Sequence, residues 1–297
     1  MNFNETLTIK VQNVEKIIKK FLPEEKGYQK TVLDAMNYSI LAGGKRLRPM
    51  LVQEAFEAFG GTGDIVEPFM AAIEMIHTYS LVHDDLPAMD NDEYRRGRKT
   101  THVVYGEAMG ILAGDALLNY AFETALSAFD KATLEEYPRV AKALKVLAKK
   151  AGIYGMIGGQ VCDIESEESK EPISFEQLMF IHAHKTAALI QASMMTGGIL
   201  AGCDDDTIDR LEQSAYDLGI AFQIQDDILD VTSTFEALGK PIGSDEKNHK
   251  QTYVTIHGLD HAKAEVKRLS EEAISLLGLE TDSFLAKLFE SLIYRSK

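Results

Sequence analysis

Hydrophobic residues recur along most of the chain three or four positions apart, which is the spacing of one face of an α-helix. The clearest stripe near the N-terminus consists of Val11, Val14, Ile17, Ile18 and Phe21. Alternation of apolar and polar positions, typical of a half-buried strand, does not persist for a useful length. The run 253–256 is rich in β-branched residues, but it is short and helical patterns flank it. The pattern therefore predicts an all-α fold.

The predicted helices number about ten, and several prolines lie near their ends. Their expected ranges are 8–21, 28–42, 48–59, 65–85, 105–129, 134–156, 174–201, 205–230, 258–277 and 281–294. No linker rich in glycine, serine or proline divides the chain, so we expect a single large domain over residues 1–297. Functional loops are expected at Gly43-Gly44 and its basic continuation, at 86–99, at the acidic run 163–171 and at 235–250.

Composition narrows the possible partners and the compartment. Acidic residues outnumber basic ones by 46 to 31, and the net charge of −15 argues against binding to a nucleic-acid backbone. Two cysteines, Cys162 and Cys203, are too few for a disulfide framework or a zinc-thiolate cluster and suit a reducing compartment. The N-terminus lacks the apolar core of a signal peptide, and the most apolar stretch, 187–201, is shorter than the roughly 20 residues of a membrane span. We therefore expect a cytoplasmic protein with no membrane span and no nucleic-acid partner.

A first acidic cluster, HDDLPAMDND, ends the predicted helix 65–85. Asp84 and Asp85 fall in its last turn, where carboxylates are disfavoured by about 0.3–1 kcal/mol each. A bound divalent cation compensates such a placement, and Mg²⁺ prefers carboxylate, water and phosphate oxygens. On an unbroken helix Asp84 and Asp90 would lie about 120° apart. For both to reach one metal ion, the helix must end near Pro87 and the chain must curl back.

A second acidic cluster, FQIQDDILD, lies in an apolar helical frame at residues 222–230. Asp226 and Asp230 are four positions apart and lie about 40° from each other on one helix face, whereas Asp227 points elsewhere. A solvated acidic helix end is the plain alternative for either cluster alone. Two such clusters in one chain favour a metal-dependent site over that alternative.

Basic residues are sparse but grouped. The groups are GGKRLRP at 43–49, YRRGRKT at 94–100, HKT at 184–186 and GKPIGSD at 239–245. Arginine forks and lysine point charges can hold one diphosphate directly, while carboxylates can hold another through Mg²⁺. The phosphate-binding loop of nucleotide enzymes, GxxxxGK[ST], is absent. Each group alone could be a helix cap or a solvated loop, so it is their combination that points to diphosphate ligands.

The chain resembles the short-chain trans-isoprenyl diphosphate synthases, most closely the bacterial farnesyl diphosphate synthase type. The resemblance is carried by the two aspartate motifs and four basic motifs in register, with GDALL at 114–118 and KQTY at 250–253. It implies a barrel of about ten long helices around a deep central cavity, usually in a homodimer. It also implies condensation of isopentenyl diphosphate with dimethylallyl and then geranyl diphosphate to (E,E)-farnesyl diphosphate, by Mg²⁺-dependent ionisation, condensation and elimination.

The same resemblance assigns roles to individual residues. The metal ligands, for about three Mg²⁺ ions per active site, would be Asp84, Asp85, Asp90, Asp226 and Asp230. The allylic diphosphate would be bound by Arg95, Gln223 and the catalytic candidates Lys185, Thr186 and Lys240. Isopentenyl diphosphate would be bound by Lys45, Arg48, His77 and Arg96, with Arg295 and Lys297 closing that pocket. Metal ions would neutralise the departing diphosphate, and a water-poor cavity would protect the carbocation.

Product length is predicted from the residues before the first cluster. Tyr79 stands five positions before Asp84, and the first motif, DDxxxxD, carries two extra residues. In the family that the chain resembles, a bulky aromatic at that position together with the insertion is associated with a floor that stops growth at fifteen carbons. Ser80 beside it is small and leaves that side open. Farnesyl diphosphate is therefore the predicted product, and geranylgeranyl diphosphate is the alternative, because the sequence alone does not identify the other residues of the cavity. The sequence departs from the family where Lys99 replaces the usual proline and Glu93-Tyr94 replace Asp-Leu, which leaves the conformation of that loop open.

Three further classes compete with a synthase. A metal-dependent phosphohydrolase could use the dyad His83-Asp84, but it has no use for a second aspartate motif or four basic motifs. A non-catalytic prenyltransferase subunit is expected to lose an aspartate motif, and both are intact here. A terpene cyclase does not need a second diphosphate pocket, so Lys45, Arg48 and Arg96 argue against it.

Overall fold

A computed structural model describes residues 2–169, 171–232 and 251–293. Helices dominate these ranges, and the only strands within them form one short hairpin. The all-α prediction is therefore confirmed. The chain divides into two compact units, Met1–Leu144 with Ile199–Gly202 and Lys145–Gly198 with Cys203–Lys297. The single-domain organisation over residues 1–297 stays a prediction.

The first unit is built around α4, a helix that is apolar on nearly every side. Its elements are α1 Phe3–Lys20, α2 Lys30–Ile40, α3 Leu47–Ala58, α4 Glu67–Asp84, β1 Tyr94–Arg95, β2 Arg98–Lys99, α5 Thr101–Tyr105, α6 Glu107–Leu126 and the start of α7 Tyr137–Ala151. Phe69, Ile73 and Ile76 of α4 expose at most 1% of their surface. Because α4 packs against α6 and also contacts α1, α2 and α3, it is held on several sides.

The second unit is organised along the long helix α11. Its main elements are α8 Met156–Glu168, α9 Phe175–Ile181, a π-helical turn His182–Ala187, most of α10 Ala188–Ala201, α11 Asp205–Thr232, α12 Tyr253–His257, α13 Leu259–Leu277 and α14 Phe284–Ile293. α11 packs along α13, and the π-helical turn contacts both α8 and α11. The turn is therefore held between two helices of this unit.

Several helix boundaries differ from the expected ranges because local or tertiary contacts prevail. The helix expected over 134–156 ends at Ala151, where a glycine-containing turn follows. The acidic run 163–171, expected to be a loop, is helical as far as Glu168 and belongs to α8. The helix expected over 174–201 contains the π-helical turn. α1 begins at Phe3 because Asn2 and a glutamate form a capping box that extends the helix toward the N-terminus.

Candidate active site

The C-terminal end of α4 carries the first acidic cluster. Asp84 is its last residue, Asp85 caps it, and the chain then reverses direction. Two backbone hydrogen bonds fix the reversal: the N–H of Asp90 donates to the carbonyl of Asp84 at 2.8 Å, and that of Asn91 donates to Leu86 at 3.1 Å. The curl that the spacing of Asp84 and Asp90 predicts is therefore confirmed.

Asp85 is the buried member of this cluster, with 4% of its surface exposed. Nε and a terminal nitrogen of Arg95 lie 2.7 and 2.6 Å from its Oδ1. Burial raises the pKa of Asp85, Arg95 opposes this shift, and the charges of Asp92 and Asp90 add to it. Asp84 is half-buried, whereas Asp90 is exposed. A predicted metal ligand, Asp85, and a predicted diphosphate ligand, Arg95, are thus in direct contact.

A hairpin carries the two arginines that follow the cluster. Tyr94 pairs with Lys99 and Arg95 with Arg98, and the turn residues Arg96-Gly97 have φ angles of 53° and 74°. Positive φ at both central residues matches the twist of a two-residue hairpin. Tyr94 and Lys99, two of the three positions at which the loop departs from the family pattern, therefore form one cross-strand pair.

The hairpin is attached to α2 through Tyr38. The hydroxyl of Tyr38 donates to the carbonyl of Lys99 at 2.8 Å, and the guanidinium of Arg98 lies 4.3 Å above the Tyr38 ring centroid. At the base of the hairpin, the Thr100 hydroxyl donates to the carbonyl of Asp92 at 2.7 Å. β2 is thus attached to α2, and β1 is held through its pairing with β2.

Three of the residues predicted to bind isopentenyl diphosphate, Arg48, His77 and Arg96, influence one another electrostatically in the first unit. Burial lowers the pKa of Arg48 to about 10, with Glu74 opposing and Arg96 adding to the shift. Burial also lowers the pKa of Arg96, which neighbouring arginines lower further. The pKa of His77 lies well below its ordinary value because of burial and the adjacent arginines. His77 is therefore neutral, and the excess of positive charge favours an anion at this position.

The cations of GGKRLRP occupy different environments. Arg46 is 4% exposed and donates to Oε1 of Glu74 at 2.7 Å and to the carbonyl of Ile40 at 2.8 Å. Arg48 is partly exposed, and its Nε is buried with no hydrogen-bond partner among the described residues. Lys45 is exposed. Arg46 therefore belongs to the core, while Arg48 retains donor capacity.

Tyr79 lies on α4 five residues before Asp84, which corresponds to about 7.5 Å along the helix axis. It is 5% exposed, its hydroxyl has no partner within the described ranges, and its ring meets that of His83 edge-on at 5.8 Å. Burial raises the pKa of Tyr79 to about 12, and the charge of Asp84 adds to the shift. The half-buried Ser80 donates to the carbonyl of His77 at 2.9 Å. The buried ring of Tyr79 thus lies within two helical turns of the first acidic cluster.

In the second unit, the π-helical turn holds two predicted ligands of the allylic diphosphate. Nζ of Lys185 donates to Oδ2 of Asp163 at 2.5 Å, and Oγ1 of Thr186 donates to Oε1 of Gln223 at 3.0 Å. Such turns break the α-helical hydrogen-bond pattern and are frequent at functional sites. Sequence reasoning missed Asp163, which is 4% exposed. Its one signal was the glycine pair 158–159 shortly before it, which indicates close helix packing.

The second acidic cluster divides into two environments on α11. Asp226 and Asp230 are both half-buried, whereas Asp227 is buried and accepts a hydrogen bond from the backbone N–H of Tyr253 at 2.8 Å. This matches the expectation that Asp227 points away from the face shared by the other two. Asp226 and Asp230 remain the predicted metal ligands of this cluster.

Three or more metal-capable side chains do not converge on one point within the described ranges. The carboxylates still suit Mg²⁺, which takes one or two of them and completes its shell with water and substrate phosphate. Three residues with predicted roles lie outside the described residues, namely Lys240, Arg295 and Lys297.

Comparison with known proteins identifies the family. The family model described as polyprenyl synthetase matches residues 29–291. The chain belongs to the polyprenyl synthetase family. A geranylgeranyl diphosphate synthase from Cyanophora paradoxa is 44% identical over 262 residues, covering 88% of this chain and 85% of that protein. A farnesyl diphosphate synthase from Geobacillus stearothermophilus is 43% identical over 263 residues, covering 89% and 87%.

Solved structures of the same family share the fold. A geranyltransferase from Helicobacter pylori, complexed with magnesium and isoprenyl diphosphate, has a TM-score of 0.81 at 32% identity and covers 99% of this chain and 97% of its own. An FPP/GFPP synthase from Zymomonas mobilis has a TM-score of 0.85 at 31% identity, covering 99% and 98%. The chain is thus an enzyme of the prenyltransferase family, and its relatives are named for products of different lengths. Within the described ranges, no helix has the length and apolar character that crossing a membrane requires.

Proposed function

We propose that the protein condenses isopentenyl diphosphate with dimethylallyl diphosphate and then with geranyl diphosphate, and releases (E,E)-farnesyl diphosphate. Family membership supports the reaction class. The main support for a fifteen-carbon product is that Tyr79 is buried and lies five residues before Asp84 on α4.

Tyr79 acts as a floor because its ring is large and its surroundings are packed. Ile76 and Val82 on the same helix are buried, and the ring of His83 meets the Tyr79 ring edge-on. A growing prenyl chain that starts at the aspartates meets the ring about 7.5 Å further along the axis of α4. Further elongation would need the ring to move within a close-packed interior.

The allylic diphosphate is bound by Arg95, Lys185, Thr186 and Gln223, together with the catalytic candidate Lys240. Mg²⁺ held by Asp84, Asp85, Asp90, Asp226 and Asp230 supplies charge neutralisation of the departing diphosphate when bound. The hydrogen bond from the backbone N–H of Asp90 to the carbonyl of Asp84 supports this set of metal ligands, since it holds two of them close together. Lys185 and Thr186 fix the diphosphate end of the substrate, so that the allylic carbon faces the second substrate.

Isopentenyl diphosphate is bound by Lys45, Arg48, His77 and Arg96. The lowered pKa values of Arg48, His77 and Arg96 support an anion at this position, because a bound diphosphate relieves the excess positive charge. Neutral His77 contributes a hydrogen bond rather than a charge. Two separate diphosphate sites distinguish this arrangement from that of a terpene cyclase.

A chain-length assay tests the proposal. The purified protein is incubated with Mg²⁺, dimethylallyl diphosphate and radiolabelled isopentenyl diphosphate, and the dephosphorylated products are separated by length, with a chelator-treated sample as control. We expect a labelled fifteen-carbon alcohol. A twenty-carbon alcohol would retain the reaction and overturn the role of Tyr79. Released phosphate without condensation would overturn the synthase and favour a phosphohydrolase.

Geranylgeranyl diphosphate synthesis is the second candidate. Relatives with that name include the Cyanophora paradoxa protein, and the small Ser80 leaves one side of α4 open beside Tyr79. The same assay separates the two products, because geranylgeranyl diphosphate contains one isopentenyl unit more than farnesyl diphosphate.

The proposal includes a homodimer. The outward face of α6 exposes Ile111, Leu112 and Leu126 by 42, 48 and 51%. A cluster of exposed apolar side chains on one helix favours association with a second copy. Light scattering after gel filtration should give a molecular mass of twice the chain mass. In Ile111→Glu the measured mass should fall to that of a single chain. Ile153→Glu is the control, since Ile153 is exposed elsewhere, in the second unit.

A further inference from the structure

Two helices of the second unit meet the π-helical turn with the same local pattern. On α8, Gly159 is followed four residues later by Asp163, and on α11, Gly219 is followed four residues later by Gln223. Residues four apart lie on the same helix face. Each helix therefore presents one position without a side chain and one polar side chain to the turn.

The glycines admit the backbone of the turn. A Cβ atom on Gly159 would overlap the backbone nitrogen of Lys185, and one on Gly219 would overlap Cα and Cβ of Ala187. Any larger residue at either position would displace the turn, because backbone atoms cannot give way as a flexible side chain can. The close approach of both helices thus depends on these two glycines.

The polar residues hold the two side chains that the turn presents. Asp163 accepts from the ammonium of Lys185 at 2.5 Å, and Gln223 accepts from the hydroxyl of Thr186 at 3.0 Å. The carboxylate of Asp163 is 6% exposed, whereas the Lys185 side chain is 33% exposed. The ion pair therefore fixes the ammonium from its buried side and leaves the other side open to a ligand.

We propose that Asp163 is a positioning residue for prenyl transfer: its buried carboxylate holds the Lys185 ammonium in place, and Gly159 one turn earlier allows the contact. Lysine has a long, flexible side chain, and its ammonium is a point charge with three donors. One donor is used by Asp163, and the others remain for the diphosphate. This inference rests on the proposed function, since Lys185 is there a ligand of the allylic diphosphate.

Kinetic comparison of Asp163 variants tests the positioning role. Asp163→Ala should raise KM for the allylic diphosphate and lower kcat, reducing kcat/KM about 10- to 100-fold, because a misplaced reacting group costs that much. KM for isopentenyl diphosphate should stay within twofold. Asp163→Asn should retain more activity, since its amide oxygen can still accept from Lys185. Glu165→Gln is the matched control, because Glu165 is an exposed carboxylate on the same helix, and it should behave like the wild type.

A double-variant cycle asks whether Asp163 acts through Lys185. If it does, adding Asp163→Ala to Lys185→Ala should reduce kcat/KM no further than Lys185→Ala alone. Multiplicative losses, or equal increases in KM for both substrates, would overturn the proposal. Circular dichroism and thermal melting of each variant show whether a loss of activity arises from unfolding. If Asp163→Ala is unfolded, the isosteric Asp163→Asn variant replaces it in the cycle.

A readout independent of turnover separates this inference from the proposed function. The rate at which acetic anhydride modifies Lys185 is measured by mass spectrometry, without substrate. Loss of the ion pair in Asp163→Ala should raise that rate several-fold relative to the wild type, with no change in Glu165→Gln. An unchanged rate would overturn the positioning role. A wild-type protein that shows this protection but no condensation would instead overturn the proposed function alone.

Discussion

Asp217 on α11 offers a sharp test of the energetics of this fold. It is 3% exposed, its Oδ1 accepts from Nε2 of Gln213 at 2.9 Å, and its Oδ2 has no hydrogen-bond partner within the described ranges. Burial raises its pKa from 3.8 to about 6, Gln213 opposes the shift, and Glu272 of α13 adds to it. The ionised carboxylate is therefore unfavourable in the folded state.

The magnitude follows from the two pKa values of Asp217. Below pH 3.8 the carboxyl group is protonated in both the folded and the unfolded chain, so its ionisation contributes nothing to stability. Between pH 3.8 and about 6 the folded chain retains a proton that the unfolded chain has released, so stability falls over that range, and above it the full penalty remains. A pKa difference of this size corresponds to about 3 kcal/mol at full ionisation, and relaxation of the site reduces it to about 1–3 kcal/mol.

Asp217→Asn removes this titration with little change in shape. We expect the free energy of unfolding at pH 7.5 to rise by about 1–3 kcal/mol and the gain to disappear toward pH 4. Urea denaturation followed by circular dichroism at several pH values measures it, and Asp209→Asn on the exposed part of the same helix should change stability by less than about 0.5 kcal/mol. An equal gain at pH 4.5 and 7.5, or a loss at pH 7.5, would refute the reasoning.

Three further predictions concern the first unit and the aspartate clusters. Asp84→Ala or Asp226→Ala should abolish turnover while the circular dichroism spectrum is retained, and near-normal turnover in either would refute its assignment as a metal ligand. Tyr79→Ala should lengthen the product in the chain-length assay, whereas an unchanged product would place the floor elsewhere. Glu74→Ala should lower the free energy of unfolding by up to about 3–5 kcal/mol, because it removes the buried carboxylate 2.7 Å from Arg46 and leaves only Glu15, 3.6 Å from its Nε; a loss below about 1 kcal/mol in urea denaturation would contradict this.

The end of α4 could be predicted from sequence because the constraint there is local. The angle between Asp84 and Asp90 on a helix, together with Pro87, required a reversal, and the backbone hydrogen bond from Asp90 to Asp84 supplies it. Helical periodicity likewise predicted the all-α fold, since the spacing of apolar residues within each helix indicates which face is buried.

Asp163 and Arg46 were harder to interpret because their environments come from other parts of the chain. Asp163 stands in an acidic run that was expected to be a loop, and its contact with Lys185 is what distinguishes it from the other acidic residues of that run. Arg46 stands between two other cations of its motif, and only the buried Glu74 shows that it belongs to the core. Residue type and spacing do not encode a partner that lies 22 or 28 positions away.

The attachment of the hairpin to Tyr38 has an entropic consequence for ligand binding. A free loop that carries two arginines would lose about 1–2 kcal/mol of backbone entropy for each residue ordered by a diphosphate. Here the strand pairing and the contacts of Tyr38 with both Lys99 and Arg98 order the backbone during folding. A ligand that reaches Arg95 and Arg96 therefore has no backbone left to order there, and more of its contact energy is available as affinity.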